Sequence, residues 1–227
     1  MMNLYRRGMI FATFLGSCLT LALSGAAMGT KHWVEAHARR TSNPNDSDGR
    51  IHFGLFYGSK YLNVAYGWRR YDIDVMEVLK AEPEFLIWGL WLATIGCLCL
   101  AEVFAIVSAA FAVINTAITP VSTIAGIIGL YIWNALTVIF NLAAVVTWAV
   151  QFHKKLHDNV MTQEDLDINW TSKDMAHVGY SFWFVVGAVM VSLINILVIY
   201  FGTNKPREKK NINPVMEEKG NGAIMLY

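Results

Sequence analysis

Apolar residues in this chain gather into four long blocks, separated by segments where charged, aromatic and glycine residues mix. Residues 8–29, 121–150 and 178–203 contain no Asp, Glu, Lys or Arg, and residues 85–111 contain one, Glu102. Crossing the roughly 30 Å hydrocarbon core of a bilayer as a helix takes about 20 apolar residues. Each block exceeds that length, and four such runs do not fit the core helices of a water-soluble domain. The pattern predicts four transmembrane helices over those residues, joined by residues 30–84, 112–120 and 151–177.

The first connection is patterned in its own right. "RIHFGLFYGSKYLNVAYGW" (50–68) is rich in aromatic and β-branched residues and punctuated by Gly54, Gly58 and Gly67, which predicts short strands in a small sheet. "DIDVMEVLKAEP" (72–83) changes period. Ile73, Met76 and Leu79 recur at helical spacing, Asp72 or Asp74 can cap, and Pro83 stops the run, so a short helix precedes the second span. Between the second and third spans, Pro120 lacks an amide donor and marks a natural break.

Composition agrees with a membrane protein. Of 227 residues, 55% are hydrophobic and 15% charged, whereas soluble domains carry about 25% charge. Arg6 and Arg7 before an apolar run ending in "SGAA" (24–27) also fit a cleavable signal peptide. The block is longer than a usual signal core, which favours an uncleaved anchor; cleavage would remove one helix without inverting the others. Cys18, Cys97 and Cys99 all fall inside spans, so no disulfide framework is expected in the loops, and all three read as small buried residues.

Basic residues do not orient the chain. With a cytoplasmic N-terminus, seven Lys/Arg stand inside and eleven outside, against the positive-inside rule. The first loop is about 55 residues long, close to the limit where that rule applies. Two glycosylation sequons decide instead. Asn45-Asp46-Ser47 and Asn169-Trp170-Thr171 both fall in loops sharing one face of the membrane, the lumenal face if glycans are attached. Asn169 stands near the fourth span, so Asn45 is the better acceptor. Residues 1–7 and the tail 204–227 are then cytoplasmic.

Inside the spans, Glu102, Asn134, Asn141 and Asn195 are the notable polar groups. An ionisable side chain in lipid costs at least ~2.5 kcal/mol and is a functional candidate by default. Counted from the outer ends of their spans, Glu102 and Asn195 reach similar depth, which predicts an interhelical hydrogen bond between them. Asn134 and Asn141 share a helix face. A lone acid with no basic partner gives an ion or proton path thin support; polar glue for the bundle is the favoured reading. "GAAMG" (25–29) allows close helix contact within the bundle or with a second copy, which leaves a homo-oligomer open.

No catalytic constellation, cofactor motif or nucleic-acid motif is present, and no metal-ligand run is convincing. "HWVEAH" (32–37) is neither of the helical zinc motifs, and Lys31, His32 and Trp33 read as interfacial anchors. "HKKLH" (153–157) reads as a basic cap on the third span. In the tail, Lys205, Arg207, Lys209 and Lys210 can hold anionic membrane lipids, at about 1 kcal/mol each. The apolar end "AIMLY" places Met225, Leu226 and Tyr227 beside a free carboxylate, the form of a strand-adding peptide for a PDZ-type scaffold.

Six segments in order carry a family resemblance: "HW" (32–33), "FGLFYG" (53–58), "VLKAEP" (78–83), "GLYI" (129–132), "SFWF" (181–184) and the terminal "MLY". Over most of its length the chain resembles the clarins, four-span glycoproteins distantly similar to claudins, tetraspanins and channel-associated subunits. The paired-cysteine loop of claudins is missing, and "GLW" (89–91) falls inside the second span, which separates the chain from claudins proper. The resemblance implies an all-α membrane protein, a four-helix bundle topped by a small extracellular sheet from the first loop. Phe53, Gly54, Leu55, Phe56, Tyr57 and Gly58 would form a turn whose rings pack on that sheet, with Lys60 in water. It also implies a non-enzymatic plasma-membrane organiser in sensory cells or at synapses, linking membrane protein or channel partners to the actin cytoskeleton. An auxiliary subunit of an ion channel is the alternative.

Overall fold

The computed structural model describes residues 4–44, 47–63, 67–118 and 126–204. Along the chain the elements are α1 (Leu4–Gly29), β1 (Val34–Arg40), β2 (Gly49–Phe53), β3 (Tyr57–Asn63), β4 (Trp68–Asp74), α2 (Val75–Ala81), α3 (Trp88–Ala117) and α4 (Ile127–Gln151). A π-helical turn (Phe152–Leu156), α5 (Gln163–Asp167), β5 (Trp170–Thr171), β6 (Ala176–Val178) and α6 (Tyr180–Asn204) complete it.

The four long helices are each long and apolar enough to span a bilayer. They form an up-down bundle in which α1 and α4 each pack against both α3 and α6, so α1 and α4 are diagonal, as are α3 and α6. The large side chains point outward: Phe11, Leu15 and Leu19 on α1, Leu100, Val103 and Ile106 on α3, and Met190, Leu193 and Leu197 on α6 are exposed on the bundle surface. The inward faces instead carry small and polar residues, such as Ala101, Ala105, Ser108 and Ala112 on α3. Small inward residues let backbones approach closely where lipid offers no hydrophobic drive between helices.

Cys18 and Cys99 are exposed on this outer surface and Cys97 is partly so, against the expectation of buried thiols. The inward positions of α1 and α3 go to residues such as Ser17 and Leu98, and a cysteine one step along the helix is turned towards lipid.

The helix ends also move. α3 begins at Trp88 rather than residue 85, because Phe85 and Leu86 turn inward beneath the sheet, and it runs on to Ala117. α2 starts at Val75, where the Asp74 carboxylate accepts the Met76 and Glu77 amides at 2.9 and 3.2 Å. Pro120 lies outside the described residues.

The sheet is antiparallel and ordered β4-β3-β2-β1, with β5 and β6 both on the free side of β1. It is therefore built from both loops rather than the first alone. Strand β1, which begins just after the residues expected to anchor at the interface, joins the two loops by pairing with β2 on one edge and with β5 and β6 on the other. Alternate residues Val34, Ala36, Ala38, Ile51, Phe53 and Leu62 face one buried core with Leu79, Phe85, Trp91 and Trp148. Trp33 is wholly buried there rather than interfacial. Its Nε1 donates to the Ala27 carbonyl at 2.7 Å, and its ring meets Trp148 edge-on at 5.0 Å. The continuous core seats the sheet on the bundle.

Candidate functional site

The turn between β2 and β3 is the "FGLFYG" segment. The Gly54 amide donates to the Tyr57 carbonyl at 2.8 Å, closing the turn. The Trp91 indole of α3 donates to the Leu55 carbonyl at 2.9 Å, and the Val75 amide to that of Phe56. Phe53 and Leu55 are fully buried, with the Phe53 ring 5.5 Å from Phe85, while Phe56 and Tyr57 are exposed. A Cβ on Gly54 would strike the Thr30 carbonyl at the end of α1, so only glycine lets the turn approach the helix this closely. The motif thus bolts the sheet to α1 and α3 and holds two of its rings outward.

The basic residues flanking the motif diverge. Arg50 lies over the Trp68 ring at 5.9 Å. Lys60 is not in water: its Nζ is 2.7 Å from both carboxylate oxygens of Asp165 on α5, in the second loop. On the outer face of the sheet, Arg50, Tyr61 and Arg70 stand in one cross-strand row. Arg50 and Tyr61, with His52 and Trp68, border a shallow basin of about 490 Å³. Arg70 donates to Asp72 at 2.8 Å, and that bond, with a second from Ser59, holds the Asp72 carboxyl below its ordinary pKa. Burial, reinforced by neighbouring His32, lowers the pKa of His52.

Within the bundle, one polar node joins all four long helices. The Asn195 amide on α6 approaches the Thr13 carbonyl and Ser17 hydroxyl of α1 at 3.4 Å, and donates to the Asn134 carbonyl oxygen on α4 at 3.3 Å. Asn134 donates in turn to Ser108 of α3 at 2.7 Å, and Ser108 meets Ser17 at 3.2 Å. Towards the sheet, Thr20 meets Ser192, Ser24 donates to Glu102, and Thr94 meets Thr147.

Glu102 therefore pairs with Ser24 on α1 and not with Asn195. Equal residue counts gave the two similar depth, but α3 and α6 lie diagonally across the bundle. Ser108, the α3 residue in the node with Asn195, follows Glu102 by six positions, roughly 9 Å along a helix. Asn141 shares the inward face of Asn134, as its spacing implies. Among the described residues its amide nitrogen donates within its own helix, to the Thr137 carbonyl at 3.0 Å. Gly25 of the small-residue segment is exposed and stands beside Glu102, whose Oε1 a Cβ there would meet at 3.5 Å.

The family description Clarin-2, for Clarin-2-like proteins, matches residues 7–199. The chain belongs to the clarin family. It is similar to Clarin-3 of Mus musculus, 25% identical over 220 residues covering 95% of this chain and 94% of that one. Clarin-3 of Homo sapiens is 24% identical over 197 residues, 84% of this chain and 83% of the relative.

Several groups in this clarin were missed in the sequence. Thr13, Ser17, Thr20 and Ser24 form a buried hydroxyl stripe on α1, legible as intervals of four, three and four, the period of a helix face. Glu35 and His177, on β1 and β6, are brought onto one face by strand pairing between the two loops. Asn169 proves to be exposed on a turn with φ of 66°, beside the Arg40 end of β1 and remote from α6. Asn45, the tail cations Lys205, Arg207, Lys209 and Lys210, and Met225, Leu226 and Tyr227 lie outside the described residues. The "HKKLH" segment forms the π-helical turn, where Lys155 approaches Glu84 at 3.9 Å.

Proposed function

We propose that this clarin is a non-enzymatic plasma-membrane organiser, with both termini in the cytoplasm and its two-loop sheet outside the cell. The observation that carries the reading is the division of labour between polar and aromatic groups. Ser17, Ser108, Asn134 and Asn195 bond to one another across the helix interfaces and act as glue. Rings are instead offered outward on the sheet, by Phe56, Tyr57, Trp68 and Tyr71. Exposed apolar groups on a rigid support suit binding of another protein.

The exposed Asn169, placed far from the bundle, supports glycosylation and hence an external sheet. The tail's final Met225-Leu226-Tyr227 supports docking to a PDZ-type scaffold that connects to actin. The cations before it supply a contact for anionic lipid.

The test is gentle solubilisation of the tagged protein from native cells, with and without residues 224–227, followed by mass spectrometry of what co-purifies. Scaffold and actin-linking proteins that vanish on truncation are the expected result. Pore-forming subunits that persist on truncation would replace the organiser with the auxiliary-subunit reading. Glycosidase treatment of Asn45→Gln and Asn169→Gln variants reports the orientation independently, through the loss of gel shift.

A further inference from the structure

Four of the chain's six histidines border one hollow on the outer face of the sheet: His32, His37, His52 and His177. The strand register explains two of them and the acid between them. Glu35 on β1 lies directly opposite His52 on β2 and, across its other edge, directly opposite His177 on β6. Side chains so placed have Cβ atoms about 5 Å apart on the same face. His32, just before β1, folds back so that its Nδ1 is 2.9 Å from Glu35 Oε1, while His177 Nε2 lies 3.6 Å from Oε2. The His32 ring is stacked between His52 at 4.3 Å and Tyr180 at 4.6 Å, which fixes its plane. One carboxylate is thus ringed by three imidazoles drawn from both loops.

We propose that this row binds a zinc-class divalent cation, with Glu35, His32 and His177 as ligands and His52 beside them. Imidazole nitrogen with carboxylate oxygen is the donor set such ions take, whereas magnesium and calcium demand an all-oxygen shell. Two ligand atoms each about 2.05 Å from a tetrahedral zinc stand about 3.3 Å apart. The observed distances, 2.9 Å from His32 to Oε1 and 3.6 Å from His177 to Oε2, lie on either side of that spacing, one at each carboxylate oxygen. Closing the triangle asks His177, whose side chain is 58% exposed, to swing towards His32, which its ring stack already holds 2.9 Å from Glu35. Arg50 at the rim of the hollow opposes a cation, and the Glu35 charge offsets it. Glu35 and His177 stand on paired strands, a firmer base than a loop. Metal at this point would tie β6 of the second loop to β1 of the first.

A different group, His157, Asp158 and Asp174, has its ligand atoms within 4.8 Å of one another. It lies exposed on loop turns, offers a single imidazole, and serves as the control. The experiment titrates the purified full-length protein in detergent with Zn2+ against a chromophoric chelator. Wild type should take one Zn2+ per chain, and Glu35→Gln and His177→Ala should each weaken binding at least about tenfold. His157→Ala should leave it unchanged. Unaltered elution and helical circular dichroism of the metal-free variants show that the fold is kept, since both side chains are at the surface. A wild-type protein that does not compete with the chelator, variants that bind as wild type does, or a loss specific to His157→Ala would each overturn the assignment.

Discussion

Replacing Lys60 with Met should loosen the junction between the two loops. Lys60 Nζ is 2.7 Å from both oxygens of Asp165, and the two side chains are only 15% and 6% exposed. Removing the ammonium strands a nearly buried carboxylate, which keeps one hydroxyl donor, Thr162 Oγ1 at 2.8 Å. Breaking a buried pair on one side costs about 3–5 kcal/mol. Water reaching the Lys60 end, which is 15% exposed, lowers this to about 2–3 kcal/mol. At about 1.4 kcal/mol per tenfold, local protection falls roughly 30- to 150-fold. Hydrogen exchange reads this directly at the Asp165, Leu166 and Asn169 amides, whose hydrogen bonds hold the α5 turn. The double variant Lys60→Met with Asp165→Leu should recover most of the loss, since no charge is left uncompensated. A change below about threefold in Lys60→Met, or a double variant no better than the single one, would refute the reasoning.

A methyl group at Gly16 would occupy the space of the Asn195 amide, whereas at Gly8 it meets nothing within 4 Å. Gly16→Ala should therefore lower stability in detergent by about 1–3 kcal/mol, and Gly8→Ala should not. Glu102→Gln keeps an oxygen for the Ser24 hydroxyl, so its unfolding free energy should stay within about 1 kcal/mol of wild type; a much larger loss would argue against the role as helix glue. The depressed Asp72 pKa means that its contribution to sheet stability is present above the ordinary value of 3.8 and is lost as pH falls through the lower folded value. Arg70→Ala should move the Asp72 titration midpoint upward, measured by carboxyl NMR, because the Arg70 hydrogen bond is its largest cause.

Periodicity along single elements was legible throughout. Four uncharged or nearly uncharged runs became α1, α3, α4 and α6, and the change of period at residue 72 became the Asp74-capped α2. The glycine-bounded aromatic stretch became β2, β3 and the start of β4. Each of these follows from interactions among residues near in sequence: apolar length against bilayer thickness, a cap bonded to the next turn, a turn closed by its own backbone. Asn134 and Asn141 shared a face for the same reason, since spacing along one helix needs no knowledge of its neighbours.

What faced those elements was decided only in three dimensions. Glu102 and Asn195 were both legible as polar groups at similar depth in their spans, yet helix order puts their helices on a diagonal and gives each a different partner. Lys60 and Asp165 are 105 residues apart, and Glu35 meets His177 only because β6 crosses from the second loop to pair with β1. Trp33 had the composition of an interfacial anchor, and its burial depends on a sheet seated above it. A sequence therefore determined which residues this protein keeps out of lipid and which it caps or turns. The choice of partner across helices and across loops required the tertiary structure, because contact energies between distant segments depend on bundle order and strand register, and no local period encodes either.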